Sequence, residues 1–507
     1  MKKILKFIFS RIFVCGLLIV VQIAVLVLIA LYLTKFNFFV YVFFTILSVI
    51  TILFVVSKKD NPIYKLAWII PIALFPLLGW LIYLLGGRSN LSKRQKKRAE
   101  DIYEETKGLA LQDPAVMEDI RRKSPLVCRQ LSFIHNLTAM PVCRNTTTEY
   151  LSPGEAFFEK LCEELEKAEK FIFMEYFILQ GGKMWDTVLE ILARKAREGV
   201  EVKLIYDDMG SLFTLPSNYS KTLKQLGIEV YVFNSFRPSI DTFMNYRDHR
   251  KITVIDGNVG FTGGNNLADE YINAYKKHGY WKDSSLMLKG EAVWNLSILF
   301  LQMWQYQNKK TIDYNRYRPT KAFESDGYVL PFGDSPLDDK LTGELGYMHI
   351  IENAKQYITI TTPYLILDNE MATALCSAAK SGIKVQIITP GIADKWYVHM
   401  VTRYNYTALI EAGVEIYEFT EGFIHAKTLT CDDEIAVVGT QNFDFRSFYL
   451  HFECGAYLYL SSTVASVRKD HLETLARSRR IKLEDCRNKS WFVRVLQVCL
   501  NLFAPLM

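Results

Sequence analysis

HRKITVID, residues 249–256, and HAKTLTCD, residues 425–432, are one pattern written twice, H-x-K-x4-D. The register continues downstream: Gly263, Gly264 and Asn266 match Gly439, Thr440 and Asn442, each pair 176 residues apart, as the histidines are. Upstream, the strand openings GVEVKLIY (199–206) and GIEVYVF (227–233) answer GIKVQIIT (382–389) and GVEIYEF (413–419). Apolar runs rich in β-branched and aromatic residues predict strands at Phe171–Ile178, Val200–Tyr206 and Ile228–Phe233, and again at Tyr357–Thr362, Val385–Thr389 and Val414–Phe419. A helical stretch near Met184–Arg197 separates the first two. Strands alternating with helices imply βαβ units and a largely parallel sheet. The fold class is therefore α/β: two similar halves, 136–315 and 316–485, related by pseudo-twofold symmetry and joined near 310–335.

The motif residues define a chemistry. On a strand, positions i and i+2 point to one side. His249 and Lys251 then face one cavity, as do His425 and Lys427, and the pseudo-twofold brings both pairs to one cleft with Asn266 and Asn442. Such a constellation suits a phosphodiester: one neutral imidazole attacks phosphorus, and the other, protonated, donates to the leaving oxygen. Lysines and asparagines hold the non-bridging oxygens, whose charge must be balanced. Four potentially cationic side chains without a carboxylate cluster imply no metal and no other cofactor. Asp256 and Asp432 complete each motif and are counted with the catalytic set, yet they lie far enough along each strand to be read as structural partners within each half. An imidazole used this way needs an orienting acid on its other nitrogen. Asp283 in WKDSSLMLKG and Glu453 in FECGAYLYL sit at similar distances downstream. Asp207 and Asp208 also end a strand, but TPG (389–391) offers no counterpart, which argues against an acid/base role.

The paired motif resembles the phospholipase D superfamily, and within it the chain is similar to bacterial cardiolipin synthases along nearly its whole length. MEYFIL, GGNNLADEY, WKD and GTQNFDFRSFYLHFE are similar to stretches around that family's active site, and NPIYKLAWIIPIALFPLLGWLIYLLGG to its N-terminal membrane segment. The resemblance implies Asp283 and Glu453 as orienting acids, His249 as nucleophile and His425 as general acid. It implies transfer of a phosphatidyl group between two phosphatidylglycerols. Gly264 departs from the serine, and Lys282 from the arginine, found in many relatives. A phospholipase D that uses water, or a transferase with another donor or acceptor alcohol, shares the same covalent intermediate. An inactive membrane scaffold is a poor fit to six intact motif positions, and a nuclease to the apolar N-terminus.

Of the 507 residues, 50% are apolar, and the first 87 hold much of the excess. Ile12–Leu33 and Phe36–Val56 carry no charge and are long enough to span a bilayer. Leu66–Leu85 is also uncharged but contains Pro71, Pro76 and Gly79, and a re-entrant or interfacial segment is the favoured reading. The expected organisation is a membrane-embedded helical region over 1–88, a polar connector over 89–135, the two halves, and a C-terminal amphipathic helix over 486–507. Lys2, Lys3, Lys6 and Arg11 place the N-terminus inside. The basic cluster Arg88, Lys93, Arg94, Lys96, Lys97 and Arg98 suits anionic lipid headgroups. These features predict an integral protein of the cell membrane with its catalytic region on the cytoplasmic side. A net charge of +6 is too mild to argue for nucleic acid. Nine cysteines without a CxxC pair read as reduced thiols. The sequence leaves the oligomeric state open.

Overall fold

The computed structural model describes residues 38–58, 61–87, 93–235, 246–338 and 340–504, with a few positions between 20 and 32. The expected apolar stretch 12–33 therefore falls largely outside the described residues. The next becomes helix α1 (Phe38–Ser57). The third is not one helix but two, α2 (Pro62–Leu74) and α3 (Pro76–Gly86). The break falls at Phe75, whose extended backbone (φ −132°) is what a residue before proline prefers. The two helices then close on each other so tightly that a Cβ on Gly79 would lie 2.3 Å from the Pro71 carbonyl oxygen. Val55, Ile72 and Tyr83 form the small core of this three-helix unit. Among the described residues, no helix is long and apolar enough to cross a membrane. The polar connector is helical, at Lys93–Thr106, Pro114–Lys123 and Pro125–Thr138. The last two start on Asp113 and Ser124, whose side chains accept from N–H groups of the first turn ahead of a proline, a standard helix start.

The first half supplies strands β1 (Thr146–Leu151), β2 (Phe171–Tyr176), β3 (Glu201–Asp207), β4 (Glu229–Phe233), β5 (Arg247–Asp248), β6 (Ile252–Ile255), β7 (Val259–Gly263), β8 (Tyr280–Lys282) and β9 (Ser285–Gly290). The second supplies β10 (Tyr328–Asp334), β11 (Tyr357–Thr361), β12 (Leu365–Ile366), β13 (Lys384–Pro390), β14 (Glu415–Phe419), β15 (Gly422–Ile424), β16 (Thr428–Cys431), β17 (Ile435–Gly439), β18 (Phe443–Asp444), β19 (His451–Tyr459) and β20 (Ser478–Arg480). One sheet runs β1-β9-β7-β6-β2-β3-β4 and the other β10-β19-β17-β16-β11-β13-β14-β20. The same order in each half is the duplication seen in the sequence.

The sheets are not largely parallel. Along these two strand orders, only β2, β3 and β4, and their counterparts β11, β13 and β14, run parallel. The motif strands β6 and β7 pair antiparallel, as do β16 and β17. The links Asp256–Asn258 and Asp432–Glu434 are too short for the crossover a parallel pair requires. Helix Val293–Asn308 is buried for most of its length between the halves, and residues of both halves share one hydrophobic core. Burial of a large apolar side chain stabilises by about 1.5–3 kcal/mol, so this shared core ties the two sheets into one body.

The C-terminal helix, Trp491–Leu502, rests on helix Trp396–Glu411, with Gln497 Nε2 donating to the Met400 carbonyl at 2.9 Å. Trp491, Phe492, Val495, Val498 and Phe503 stay exposed on its other side.

Candidate active site

Two short strand pairs carry the site, and both join one half to the other. β5 pairs in parallel with the start of β19, Arg247 opposite His451 and Asp248 opposite Phe452. β15 pairs in parallel with β8, Phe423 opposite Trp281 and Ile424 opposite Lys282. The next residue on each strand is a histidine facing an acid. His249 N donates to the Phe452 carbonyl at 3.0 Å, and His425 N to the Lys282 carbonyl at 2.7 Å. Each histidine is therefore held beside the acid of the opposite half. Nδ1 of His249 lies 2.9 and 3.0 Å from the two Glu453 oxygens. Nδ1 of His425 lies 2.6 Å from Asp283 Oδ2. With Nδ1–H donated to the carboxylate, Nε2 carries the lone pair that can meet phosphorus.

Lys251 and Lys427 are buried beside the rings. Lys251 Nζ donates to the His249 carbonyl at 2.6 Å, and Lys427 Nζ to the His425 carbonyl. Lys427 Nζ is also 2.8 Å from His425 Nδ1, but that nitrogen keeps its N–H and donates it to Asp283, so the carbonyl is the acceptor. The motif histidines and lysines precede β6 and β16 rather than lying on them.

The buried setting shifts every titrating group. Desolvation, and then the charge of Lys251, drive the His249 imidazole well below its usual pKa. Desolvation and Lys427 lower His425 to about 4, opposed by Asp283. Burial pulls Lys251 down to about 8 and Lys427 to about 7. Glu453 is pushed well above the usual carboxyl range by burial, with Lys251 opposing. Burial also raises Asp283, but His425 and Lys427 outweigh it and leave the carboxyl below its usual value.

The other sequence candidates fall in two groups. Asn266 is at the cleft wall, its Oδ1 accepting from Ile178 N at 3.0 Å and its Nδ2 donating to the Tyr271 hydroxyl at 2.6 Å. The Tyr271 ring stands edge-on to His425, 5.4 Å between centroids. Asn442 Nδ2 donates to Asp444 at 3.2 Å, and its Oδ1 is buried without a partner. Asp256 and Asp432, counted with the catalytic set, are elsewhere. Asp256 accepts from the backbone N–H groups of Glu169, Lys170 and Phe171 at 2.7–2.9 Å, and Asp432 from those of Lys355, Gln356 and Tyr357 at 2.7–2.9 Å. Both sit at the far end of their strands with positive φ, 52° and 54°, at the turn into the next strand, and fasten that turn to the start of β2 or β11.

Sequence reasoning missed His451 and Thr440. His451 is buried with its ring 5.2 Å from His249 and its Nδ1 3.4 Å from Glu453. Thr440 Oγ1 donates to Glu453. One signal was available. Asp283 and Glu453 are 170 residues apart rather than 176, so the acids follow their own register and match Trp281 to His451. Among the described residues, His249, His451 and Glu453 form the one group with spacing to hold a metal ion. Their fit to a cation is poor, since Glu453 is committed to His249 and Thr440 and the lysines Lys251 and Lys427 face the same space.

Comparison with known proteins agrees with the two-half architecture. A family model described as "Cardiolipin synthase, PLD-like domain" matches residues 161–286 and 347–475, one match in each half, and a "Phospholipase_D-nuclease N-terminal" model matches 43–88. The fold and the paired histidine site define a phosphatidyltransferase of the phospholipase D class. The chain belongs to the cardiolipin synthase family within it. It is 35% identical to a cardiolipin synthase of Halalkalibacterium halodurans, over 92% of this chain and 94% of that one. It is likewise 35% identical to one from Geobacillus kaustophilus, over 91% and 92%. A crystal structure of phosphatidylserine synthase from Haemophilus influenzae shares the fold, with a TM-score of 0.56 over 75% of this chain and 98% of that one, at 15% identity.

Proposed function

We propose that the enzyme makes cardiolipin and glycerol from two molecules of phosphatidylglycerol through a phosphohistidine intermediate. His249 Nε2 attacks the phosphorus of the donor, and the bond from phosphorus to the glycerol oxygen breaks. That oxygen takes a proton from His425. The hydroxyl of the second phosphatidylglycerol then gives its proton back to His425 while its oxygen attacks phosphorus and breaks the P–N bond. The observation that carries the reading is the crossed pairing of each buried histidine with the other half's acid.

The environments support this division of roles. The Nδ1 of His249 is committed to Glu453, which the Thr440 hydroxyl also holds, and this leaves Nε2 free as nucleophile. Burial lowers both imidazoles, but His425 faces Asp283, a carboxyl held below its usual range, and that charge opposes the shift and favours the protonated ring, giving it the proton affinity a general acid needs. A bound phosphodiester anion raises that affinity further.

The N-terminal helices set the enzyme at the bilayer. α1 carries no charge and exposes Phe38, Phe39, Phe43, Ile46 and Leu53. We read this region as embedded in the cell membrane, with the basic helix Lys93–Thr106 against anionic headgroups and the catalytic halves on the cytoplasmic side. An epitope inserted near Gln307–Lys310 tests the orientation: impermeant antibody leaves it undetected on intact protoplasts, and detection overturns the assignment.

Purified enzyme given phosphatidylglycerol as its sole lipid tests the reaction. Equimolar cardiolipin and glycerol are expected. Phosphatidic acid as the main product would make the enzyme a hydrolase.

A further inference from the structure

A helix packed on a folded body ordinarily buries its apolar stripe and leaves its polar face in water. Helix Trp491–Leu502 does the reverse. Gln497 points inward and is 4% exposed, its Nε2 donating to the Met400 carbonyl at 2.9 Å and its Oε1 accepting from Lys489 Nζ at 3.3 Å. Trp491 and Phe492 point outward, 75% and 62% exposed, and Val495, Val498 and Phe503 continue their side of the helix. A contiguous apolar patch on a surface marks a place where something binds.

The neighbouring helix extends the patch towards the cleft. Lys489 Nζ meets the Arg403 carbonyl and Gln497 meets Met400, so the two helices run antiparallel and the start of helix Trp396–Glu411 lies at the Phe503 end. That start carries the exposed Trp396 and Tyr397, whose rings are 5.9 Å apart. The cleft rim is close by. The Tyr364 hydroxyl donates at 2.6 Å to Asp394 Oδ2, two residues before Trp396. The Tyr364 ring lies 6.3 Å from Phe423, whose own ring is 6.0 Å from His425.

Three observations point to a lipid surface as the cover. The C-terminal helix is joined to α2: Ile63 packs with Leu500 and Ala504 around Ile366, Val398 and Phe445, and Asn61 Nδ2 donates to the Tyr449 hydroxyl at 3.1 Å. Tryptophan and tyrosine are the side chains enriched where a protein meets headgroups. Lys489 and Arg494 flank the start of the helix with their nitrogens on the carbonyls of Arg403 and Arg487, which leaves their charge for anionic headgroups.

We propose that the outward face of helix Trp491–Leu502, with Trp396 and Tyr397, is a second membrane contact, which lies in the bilayer interface and holds the rim of the cleft against the lipid surface. The inference rests on the reading of a membrane-embedded enzyme that acts on phosphatidylglycerol. The N-terminal helices tether the body at one place and leave its tilt free. A second contact beside the cleft fixes the tilt.

Cys499 is exposed on this helix and serves as the probe. The full chain with Cys15→Ser, Cys162→Ser and Cys376→Ser carries a fluorophore on Cys499 and is reconstituted into vesicles of phosphatidylglycerol and phosphatidylcholine. Brominated acyl chains are expected to quench the label. Vesicle-bound protein whose label keeps its full emission overturns the contact, and so does emission that depends only on protein density, which gives the face to a second copy of the chain. Protein that does not float with the vesicles defeats the membrane reading itself. Trp491→Ser with Phe492→Ser is expected to lower turnover of vesicular phosphatidylglycerol roughly tenfold, through lost apolar contact with the bilayer. The same variant should keep its turnover of short-chain phosphatidylglycerol dispersed as monomers. Equal loss on both substrates, or loss on neither, overturns the positioning role. Wild-type enzyme that makes cardiolipin from neither form defeats the proposed reaction and leaves the quenching result standing.

Discussion

Glu453 and Asp283 do equivalent work in different company. Glu453 receives Nδ1 of His249 and the hydroxyl of Thr440, with His451 close by. Asp283 receives Nδ1 of His425 and only its neighbour's amide, Ser284 N, at 2.8 Å. The hydroxyl is missing because Gly264 stands where Thr440 stands in the second half, and a Cβ on Gly264 would lie 2.0 Å from Asp283 Oδ1. Duplication supplied two copies of one frame. Burial leaves the Glu453 carboxyl well above its usual range even though Lys251 and the Thr440 hydroxyl oppose it, whereas His425 and Lys427 hold Asp283 below its own. A symmetric fold thereby holds two unlike carboxyl–imidazole pairs.

The comparison breaks first at the histidines. His249→Ala removes the nucleophile and abolishes transfer whatever the leaving group. His425→Ala leaves the nucleophile and costs about 10²–10⁴-fold, in line with loss of a general acid. A donor lipid with a better leaving group than glycerol restores part of the rate to His425→Ala and none to His249→Ala. Rescue in the opposite variant reverses the roles.

The crossing of acids comes next. Glu453→Gln and Asp283→Asn each leave the shape but favour the wrong tautomer, with an expected loss of about 10²–10⁴-fold. Groups that act as a unit are non-additive. Glu453→Gln therefore adds little to His249→Ala, and Asp283→Asn little to His425→Ala. Coupling that instead follows chain order, Asp283 with His249 and Glu453 with His425, would refute the crossed arrangement.

Acid should unfold the enzyme partly through the second histidine. The pKa of His425 falls from 6.5 unfolded to about 4 folded, so between these values the unfolded chain binds the extra proton. Stability then falls as pH drops through that window, by about 3 kcal/mol from this group alone. Thermal melting of the wild type from pH 7 to 4 should steepen accordingly, and His425→Asn should flatten the slope. An equal slope in both would remove His425 as the source.

The smallest effect distinguishes the two kinds of aspartate. Asp256→Ala and Asp432→Ala each release three backbone N–H groups at a strand end, an expected loss of about 2–3 kcal/mol in stability. Turnover per folded molecule should hold. A specific loss of turnover without a fall in melting temperature would return them to the chemistry.

The repeat, the parallel core strands and the four motif side chains were legible in the sequence because each depends on local pattern: alternation, spacing and register. The orienting acids were found as residue types, but not their partners, because β5–β19 and β8–β15 join segments about 200 and 140 residues apart that no local periodicity links. His451 was hidden for the same reason: on its own strand it is an ordinary alternating position, and only the partner strand places it against His249. The antiparallel motif strands could have been read from the short turns at Asp256–Gly257 and Asp432–Asp433. The third apolar stretch could be read as broken, since Pro76 dictates the break, but the closeness of α2 to α3 depends on the contact at Gly79.

The central claim is that unlike surroundings give the two histidines unlike roles, and trapping the intermediate tests it most directly. Phosphatidylglycerol labelled on the donor phosphate, quenched in alkali at early times and mapped by peptide, should place acid-labile label on His249 in the wild type and in His425→Ala. Label on His425 in either protein, or none in the wild type while cardiolipin accumulates, would contradict the account.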